Sequence, residues 1–379
     1  MTDDRHHDFG PFDGRIWLNT AHQGPLPRSA VEAARQAIAL KVAPARLAGR
    51  LFDDVPRRLR VALGALLGVP PDEIVLGNSA SHGLQQIVLG YPWRAGDEVL
   101  LVRGDFPATT LPWLLLEGRG VRIRWLDAGE ILTPETLEAA IGPFTRLFCT
   151  TWVHSFLGHA LDLEALGRVC AASSVWFVVN ASQGLGALPL DVSTLPVDAV
   201  MACGHKFLCG PYGTGVCWIR PELFQRFRPT QAYWLRHVDL ASLEGTWRER
   251  LRSDHRPADL DMFATANFFN AMAWTAALEH LLRVGPAAIV EHDQRLVSRL
   301  IGGLADMPVR IVSPLAPAAR SAIVIVDHPR ASEAAAALSE EGIDVAVRQG
   351  RLRISPHLHN TDDDIDRLIG SLARWLSTH

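Results

Sequence analysis

Between residues 73 and 219 short apolar runs alternate with stretches of helical periodicity, and few folds accommodate that alternation. The runs are EIVLG (73–77), EVLLV (98–102), VRIRWL (121–126), RLFCTTW (146–152), VWFVV (175–179), DAVMAC (198–203) and TGVCWI (214–219). Helix patterns at 81–90, 108–117, 134–141 and 163–172 lie between several of them. Runs this apolar are strands buried on both faces, so the pattern predicts an α/β fold: a mainly parallel sheet covered by helices. Ligands on such sheets bind beyond the carboxyl ends of the strands. Asn180, which follows VWFVV directly, falls at such an end.

After 219 the pattern changes. Residues 225–256 are irregular and rich in arginine, with Tyr233, Trp234 and Trp247 among them. A segment of this kind either shapes a pocket or is a solvated excursion. Helices are expected at 267–284, 286–303, 331–341 and 362–377, with strands at 322–327, 343–348 and 351–355. The order reads as a smaller α+β domain. The expected division is an N-terminal segment (1–25), a large domain (26–262) and a small domain (263–379).

At 379 residues and 48% hydrophobic content the chain can bury a large core, and two domains are expected. A formal net charge of −4 gives no sign of a nucleic-acid or membrane-surface partner. No leader peptide and no bilayer-spanning apolar run is visible, so a cytoplasmic location is expected. The five cysteines, at 149, 170, 203, 209 and 217, form no CxxC pair, and neither disulfides nor a metal site is indicated. Arginine supplies nearly every cation, since only Lys41 and Lys206 are lysines.

Lys206 stands in VMACGHKFLCGPYGTG (200–215), where a buried strand ends in a glycine-rich turn. Taken alone it could equally be a surface lysine. A lysine desolvated at a ligand crevice, however, loses basicity and becomes a nucleophile toward a carbonyl, either a substrate's or that of pyridoxal phosphate.

The segment GHKFLCGPYGTGVCWIR resembles the lysine segment of fold-type-I pyridoxal-phosphate enzymes of the class V aminotransferase family. That family includes cysteine desulfurases, kynureninases, isopenicillin-N-epimerase-like enzymes and C–S lyases. The resemblance runs from WLNTAHQGPLP (17–27) to LRISPHLHNTDDDIDRL (352–368). It implies a large domain with a seven-stranded, mostly parallel sheet, and pyridoxal phosphate bound through an aldimine to Lys206. LGNSASHGLQQ (76–86) resembles the phosphate-binding turn, which assigns Ser79, Ala80 and Ser81 to the phosphate at a helix N-terminus. His205 is implied beside them, with Cys203 where many relatives have serine. Phe106, in GDFPATTLPW, matches the residue that covers the pyridine ring, and Gln183 the one that meets its phenolic oxygen. His154 and Ser155, in WVHSFLG, together with Asn19 and His22 in LNTAHQGP, are implied on the substrate side. Arg353 matches the arginine that binds the substrate carboxylate, a task suited to its planar fork. MFATANFFN (262–270) resembles a stretch whose threonine reaches the phosphate of a partner subunit. Thr265 in that role implies a homodimer with shared sites, and Ala264 replaces the usual glycine.

Most relatives have aspartate at the position of Asn180. An ionic hydrogen bond contributes ~1.5–3 kcal/mol against ~1 for a neutral one. An amide can donate only to an unprotonated pyridine nitrogen, so electrons are drawn less strongly through the ring. Transamination, which carries charge through the ring, suffers most. β-Elimination, which expels a leaving group next to Cα, suffers least. Cysteine desulfurases also need an acceptor cysteine on a mobile loop in the C-terminal third, and no cysteine follows Cys217. These readings favour a C–S β-lyase acting on a cysteine S-conjugate in secondary or thiol metabolism. The alternatives are an aminotransferase, an epimerase, a decarboxylation-coupled oxidative deaminase, or a non-catalytic protein of the same fold.

Overall fold

The computed structural model describes residues 4–127, 129, 131–237 and 253–378. Seven strands form the expected sheet: β2 (Ile74–Gly77), β3 (Glu98–Val102), β4 (Arg122–Leu126), β5 (Thr145–Thr151), β6 (Trp176–Asn180), β7 (Ala199–Cys203) and β8 (Gly215–Ile219). Their order is β2-β8-β7-β6-β5-β3-β4. All neighbours run parallel except β8, which is antiparallel to both β2 and β7. The helices α3 (Ala80–Gly90), α4 (Pro107–Leu114), α5 (Pro134–Ala140) and α6 (Leu163–Ala172) match the predicted patterns to within a few residues.

Side chains of a strand alternate between faces, and the core divides accordingly. Leu100, Phe148, Phe177, Val179 and Val200 pack on one side of the sheet. Val99, Leu101, Leu147, Val178 and Met201 pack on the other. Phe148 and Phe177 stack across neighbouring strands with ring centroids 5.4 Å apart. Burial on both faces explains why these strands read as continuous apolar runs.

The sequence reading places no helix or strand in residues 28–67, and there the structure has two helices, α1 (Arg28–Val42) and α2 (Leu51–Leu67). Of α1 only Ala30 and Ala37 are buried, so its packed stripe consists of small residues that hydropathy barely marks. In α2, Pro56 and Gly64 interrupt the periodicity, yet both are buried. Next come two short helices, α7 (Pro221–Phe224) and α8 (Trp234–His237), and then the long α9 (Phe268–Val284) and α10 (Pro286–Leu304). Helix α9 lies against α1 and α2.

The C-terminal part holds β9 (Arg310–Ile311), β10 (Val324–Asp327), α11 (Ala331–Glu340), β11 (Ile343–Asp344), β12 (Ala346–Arg348), β13 (Arg351–Ile354) and α12 (Asp362–Thr378). An antiparallel sheet, β12-β13-β10-β9, packs its apolar face with α10, α11 and α12. The N-terminal β1 (Ile16–Trp17) crosses to this part and pairs in parallel with β11. Two residues further, Asn19 bridges to Ser355. This crossing brings the N-terminal segment and the end of β13 to the crevice beyond β6 and β7. Among the described residues no helix is long and apolar enough to cross a membrane.

Candidate active site

Lys206 follows β7 in a tight loop. The Cys209 N–H donates to the Lys206 carbonyl at 2.9 Å, and the Gly24 N–H donates to the His205 carbonyl at 2.8 Å. A Cβ on Gly24 would lie 1.9 Å from the Lys206 carbonyl oxygen, so only glycine lets the N-terminal segment lie this close. Burial holds the Lys206 amine below the ordinary lysine range; the nearby Cys203 opposes this and the charge of Arg353 adds to it. The Nζ atom sits 5.4 Å from the centroid of the Phe106 ring.

Asn180 is buried at the end of β6, and both sides of its amide are engaged. Its Oδ1 accepts the Ser182 N–H at 3.1 Å, and its Nδ2 donates to the Thr109 hydroxyl at 3.0 Å. Because Ser182 can only donate there, the NH₂ group must face away from it, and one N–H is left over. The Ser182 hydroxyl in turn accepts the Cys203 N–H at 3.1 Å. Gln183 donates from Nε2 to the Ala21 carbonyl at 3.2 Å and to Ser155 Oγ at 3.4 Å.

Arg353, in β13, is 3% exposed, and its Nη2 donates to Asn19 Oδ1 at 3.4 Å. Burial, then the charge of Arg348, pushes its guanidinium down to about 10. No carboxylate pairs with Arg353 among the described residues. His22, more exposed, is held below its ordinary value by partial burial and by the charges of Arg348, Arg353 and Lys206. Burial, with Lys206 and His22 adding to it, lowers His205 to about 4, so this ring is neutral near pH 7.

Ser79, not Ser81, caps α3: its Oγ accepts the His82 N–H at 3.2 Å and donates to Asn78 Oδ1 at 2.9 Å. Ala80 and Ser81 open the helix, with Ser81 exposed. Gly215, which pairs with Cys203, lies so close that a Cβ there would be 2.5 Å from the Ser79 N. The cap, Cys203 and the Lys206 loop are therefore contiguous.

Two of the residues singled out lie to one side. His154 stacks on His159 with centroids 5.1 Å apart, and both line a cavity of about 190 Å³ with Gly104 and Gln349. Thr265 is buried and donates to the Met262 carbonyl at 3.1 Å. It lines a separate cavity of about 610 Å³ together with Arg60 and Arg236. Ala264 beside it has φ +55°, the left-handed region that favours glycine.

In the arginine-rich segment, Arg236 pairs with buried Asp261, Arg256 with Asp254 at 2.5 Å, and Arg226 lies 5.4 Å from the Trp176 ring centroid. These cations are engaged structurally; Trp247, Arg248, Arg250 and Arg252 lie outside the described residues.

Three groups escaped the sequence reading. Asp105 is buried and accepts from the Phe106 N–H at 2.6 Å, the Thr150 hydroxyl at 3.2 Å, and the Thr151 N–H and hydroxyl at 2.8 Å each. It locks the Phe106 turn to the end of β5. Thr109 orients Asn180. Arg348 stands in β12 next to Arg353. None carries a local signal, although Asp105 and Thr109 share the GDFPATTLPW stretch with Phe106.

The model of the family described as aminotransferase class-V matches residues 48–368. The chain belongs to that family. It is a pyridoxal-phosphate-dependent enzyme. Among curated proteins this class V chain is 29% identical to the isopenicillin N epimerase of Streptomyces clavuligerus, over 94% of this chain and 93% of that one. It is 28% identical to a probable cysteine desulfurase of Streptomyces coelicolor, over 79% and 76%. Among solved structures, the apo cysteine desulfurase of Thermococcus onnurineus superimposes with a TM-score of 0.88 at 23% identity, covering 100% and 99% of the two chains. The cystine C–S lyase C-DES, in complex with its product cysteine persulfide, gives 0.83 at 24%, covering 95% and 97%. At these identities the two structures speak for the fold.

The class V site suits its cofactor, judged by its own polar atoms. Gln183 Oε1, His205 Nδ1 and Arg353 Nε are buried and have no hydrogen-bond partner among the described residues. Buried polar groups ordinarily find partners, and a polar cofactor and substrate bound here would supply them.

Proposed function

We propose that the chain is a C–S β-lyase that acts on a cysteine S-conjugate. One observation carries this reading. Strands β12 and β13 are joined by Gln349 and Gly350 alone, with φ +50° and +74°. Positive φ at both central residues is the signature of a tight type I′ hairpin. Such a turn has no length to spare for a mobile loop, and the five cysteines are all buried, none of them after position 217. A sulfur acceptor supplied by the protein is therefore missing from this part of the chain. Sulfur released from Cβ has to leave with its substituent, as a free thiol or related species.

Pyridoxal phosphate, when bound, draws electrons from the substrate Cα. Lys206 would hold the cofactor and take the Cα proton on its Nζ, whose basicity burial lowers. Arg353 would clamp the substrate carboxylate through two parallel N–H donors, with Asn19 setting its rotamer. Ser79, the α3 N-terminus and His205 would hold the phosphate, with Thr265 reaching it from a partner subunit in a homodimer. Phe106 would cover the ring, and Gln183 would face its phenolic oxygen. The spare N–H of Asn180 would meet the pyridine nitrogen. A neutral donor withdraws less charge than an aspartate-held proton, which favours loss of a Cβ leaving group over transamination.

The test is to incubate the holoenzyme with cysteine S-conjugates and measure pyruvate, ammonia and free thiol. All three in equal amounts are expected. Their absence, with deuterium entering Cα and inversion there, establishes epimerisation instead. The likeness to isopenicillin N epimerase supports that second reading. His22, an imidazole near Lys206 held below its ordinary value, would then be the second acid–base group.

A further inference from the structure

The substrate side of the site carries more positive charge than one carboxylate requires. The hairpin register sets Ala346 opposite Arg353 and Arg348 opposite Arg351. Side chains two apart share a face, so all four project from one side of the hairpin. Arg351 is taken up by Asp327, with 3.7 Å between Nε and Oδ1. Arg348 donates only to the neighbouring Val347 carbonyl, at 2.8 Å, and has no carboxylate partner among the described residues. Ala346, with only a methyl group, offers Arg353 no polar partner across the hairpin.

The hairpin also fixes where this charge stands. The positive φ values at Gln349 and Gly350 make the turn tight, so Arg348 is held at its edge. Gln349 lines the 190 Å³ cavity with Gly104 and His154, which brings the turn over the segment that carries Phe106. The charge of Arg348 bears on His22 more strongly than that of Arg353 or Lys206, and it also bears on Arg353. Arg348 and Arg353 thus share one face of the hairpin with His22 within reach of their charge, and among the described residues no acid pairs with either guanidinium. Asp105, the nearest buried carboxylate of the Phe106 segment, is already fully engaged by four donors.

We propose that the substrate side chain ends in a carboxylate and that Arg348 binds it, while Arg353 binds the α-carboxylate. The inference rests on the role given to Arg353 above, but not on the Cβ–S cleavage. An unpaired guanidinium gains most from a planar anion that can accept two N–H bonds. The ligand class is an amino acid, or amino-acid S-conjugate, with a second carboxylate at the far end of its side chain.

The experiment reads binding, so it stands apart from the lyase assay. Holoenzyme is titrated with glutamate and 2-aminoadipate, and with norvaline and norleucine as neutral counterparts, while the cofactor absorption is followed. None of these has a leaving group on Cβ. The dicarboxylates are expected to bind at least tenfold more tightly, with the preference shrinking as salt rises. Arg348→Gln should bring the affinity ratio to about one, and Arg348→Lys should retain part of it. Arg351→Gln, on the same hairpin but paired to Asp327, should leave the ratio as it is. Equal affinity for both classes in the unaltered enzyme overturns the proposal. So does an Arg348→Gln variant that weakens both classes alike. A tenfold preference in an enzyme that yields no pyruvate from S-conjugates keeps this inference and removes the lyase.

Discussion

Two buried cations flank the Lys206 loop, and the protein treats them oppositely. In front, Arg353 is buried with one long hydrogen bond to Asn19 and, among the described residues, no carboxylate. Behind, His357 is fully buried, and its Nδ1 meets Asp293 Oδ2 at 2.8 Å. Its ring packs edge-on against Phe207, centroids 5.4 Å apart, immediately next to Lys206. Burial pushes His357 down, but the charge and hydrogen bond of Asp293, with help from Cys209, outweigh it and raise the imidazole to about 10. A buried charge is costly unless paired. The paired cation therefore belongs to the scaffold, and the unpaired one waits for a ligand.

The largest expected effect lies between the two. Lys206→Ala should abolish the visible absorption of the bound cofactor and lower turnover by at least ~10²–10⁴-fold, the range of a lost proton-transfer group. Absorption and product assays check both. Next comes the front cation. Arg353→Leu removes a buried charge that the apoprotein does not compensate, so kcat/KM should fall by roughly thirty- to several-thousand-fold. The thermal midpoint of the apoprotein should hold or rise. A variant that unfolds instead would place Arg353 in the scaffold and erase the contrast.

The back pair should show the reverse. Asp293→Ala strands the His357 cation and should cost ~3–5 kcal/mol of stability. Denaturant unfolding measures this. The pair also sets a pH dependence. His357 is raised from about 6.5 to about 10, so its contribution is complete below pH 6.5 and is lost as pH climbs through 10. His359 runs the other way. Burial is its main cause, and the ring is held down at about 3. Its contribution is present above pH 6.5 and is lost as pH falls toward 3. The midpoint difference between the unaltered protein and His357→Gln should therefore shrink from pH 6.5 to 10. A constant difference would mean that the pair is not ionised.

This contrast also explains what was legible in the sequence. The seven strands could be read because burial on both faces leaves apolar runs. Lys206 could be read because it is one of two lysines and ends such a run. Helix α1 could not, since its packed face is made of alanines. The pair Asp293–His357 joins residues 64 apart, and Asn180–Thr109 residues 71 apart. Such partnerships leave no periodicity behind. Arg348 was one arginine among many until the register of β12 and β13 set it beside Arg353.

The smallest expected effect concerns a backbone position rather than a charge. Ala264 holds φ +55° beside Thr265, where the resemblance to relatives leads one to expect glycine. The left-handed region costs a non-glycine residue ~1–2 kcal/mol, because Cβ crowds the following carbonyl. Ala264→Gly removes that crowding but frees the unfolded chain, which takes back ~0.4–1 kcal/mol. The net gain should be about 0.5–1 kcal/mol, a rise of roughly 0.5–1.5 °C in midpoint for a protein of this size. Cofactor affinity should change less than twofold, since no hydrogen-bonding side chain is altered. If affinity instead drops severalfold while stability rises, the strain holds Thr265 in place for binding. The Thr265 turn would then join Arg353 among the features kept at a cost to the free protein, and the scaffold would be confined to groups whose charge, like that of His357, is paired within the chain.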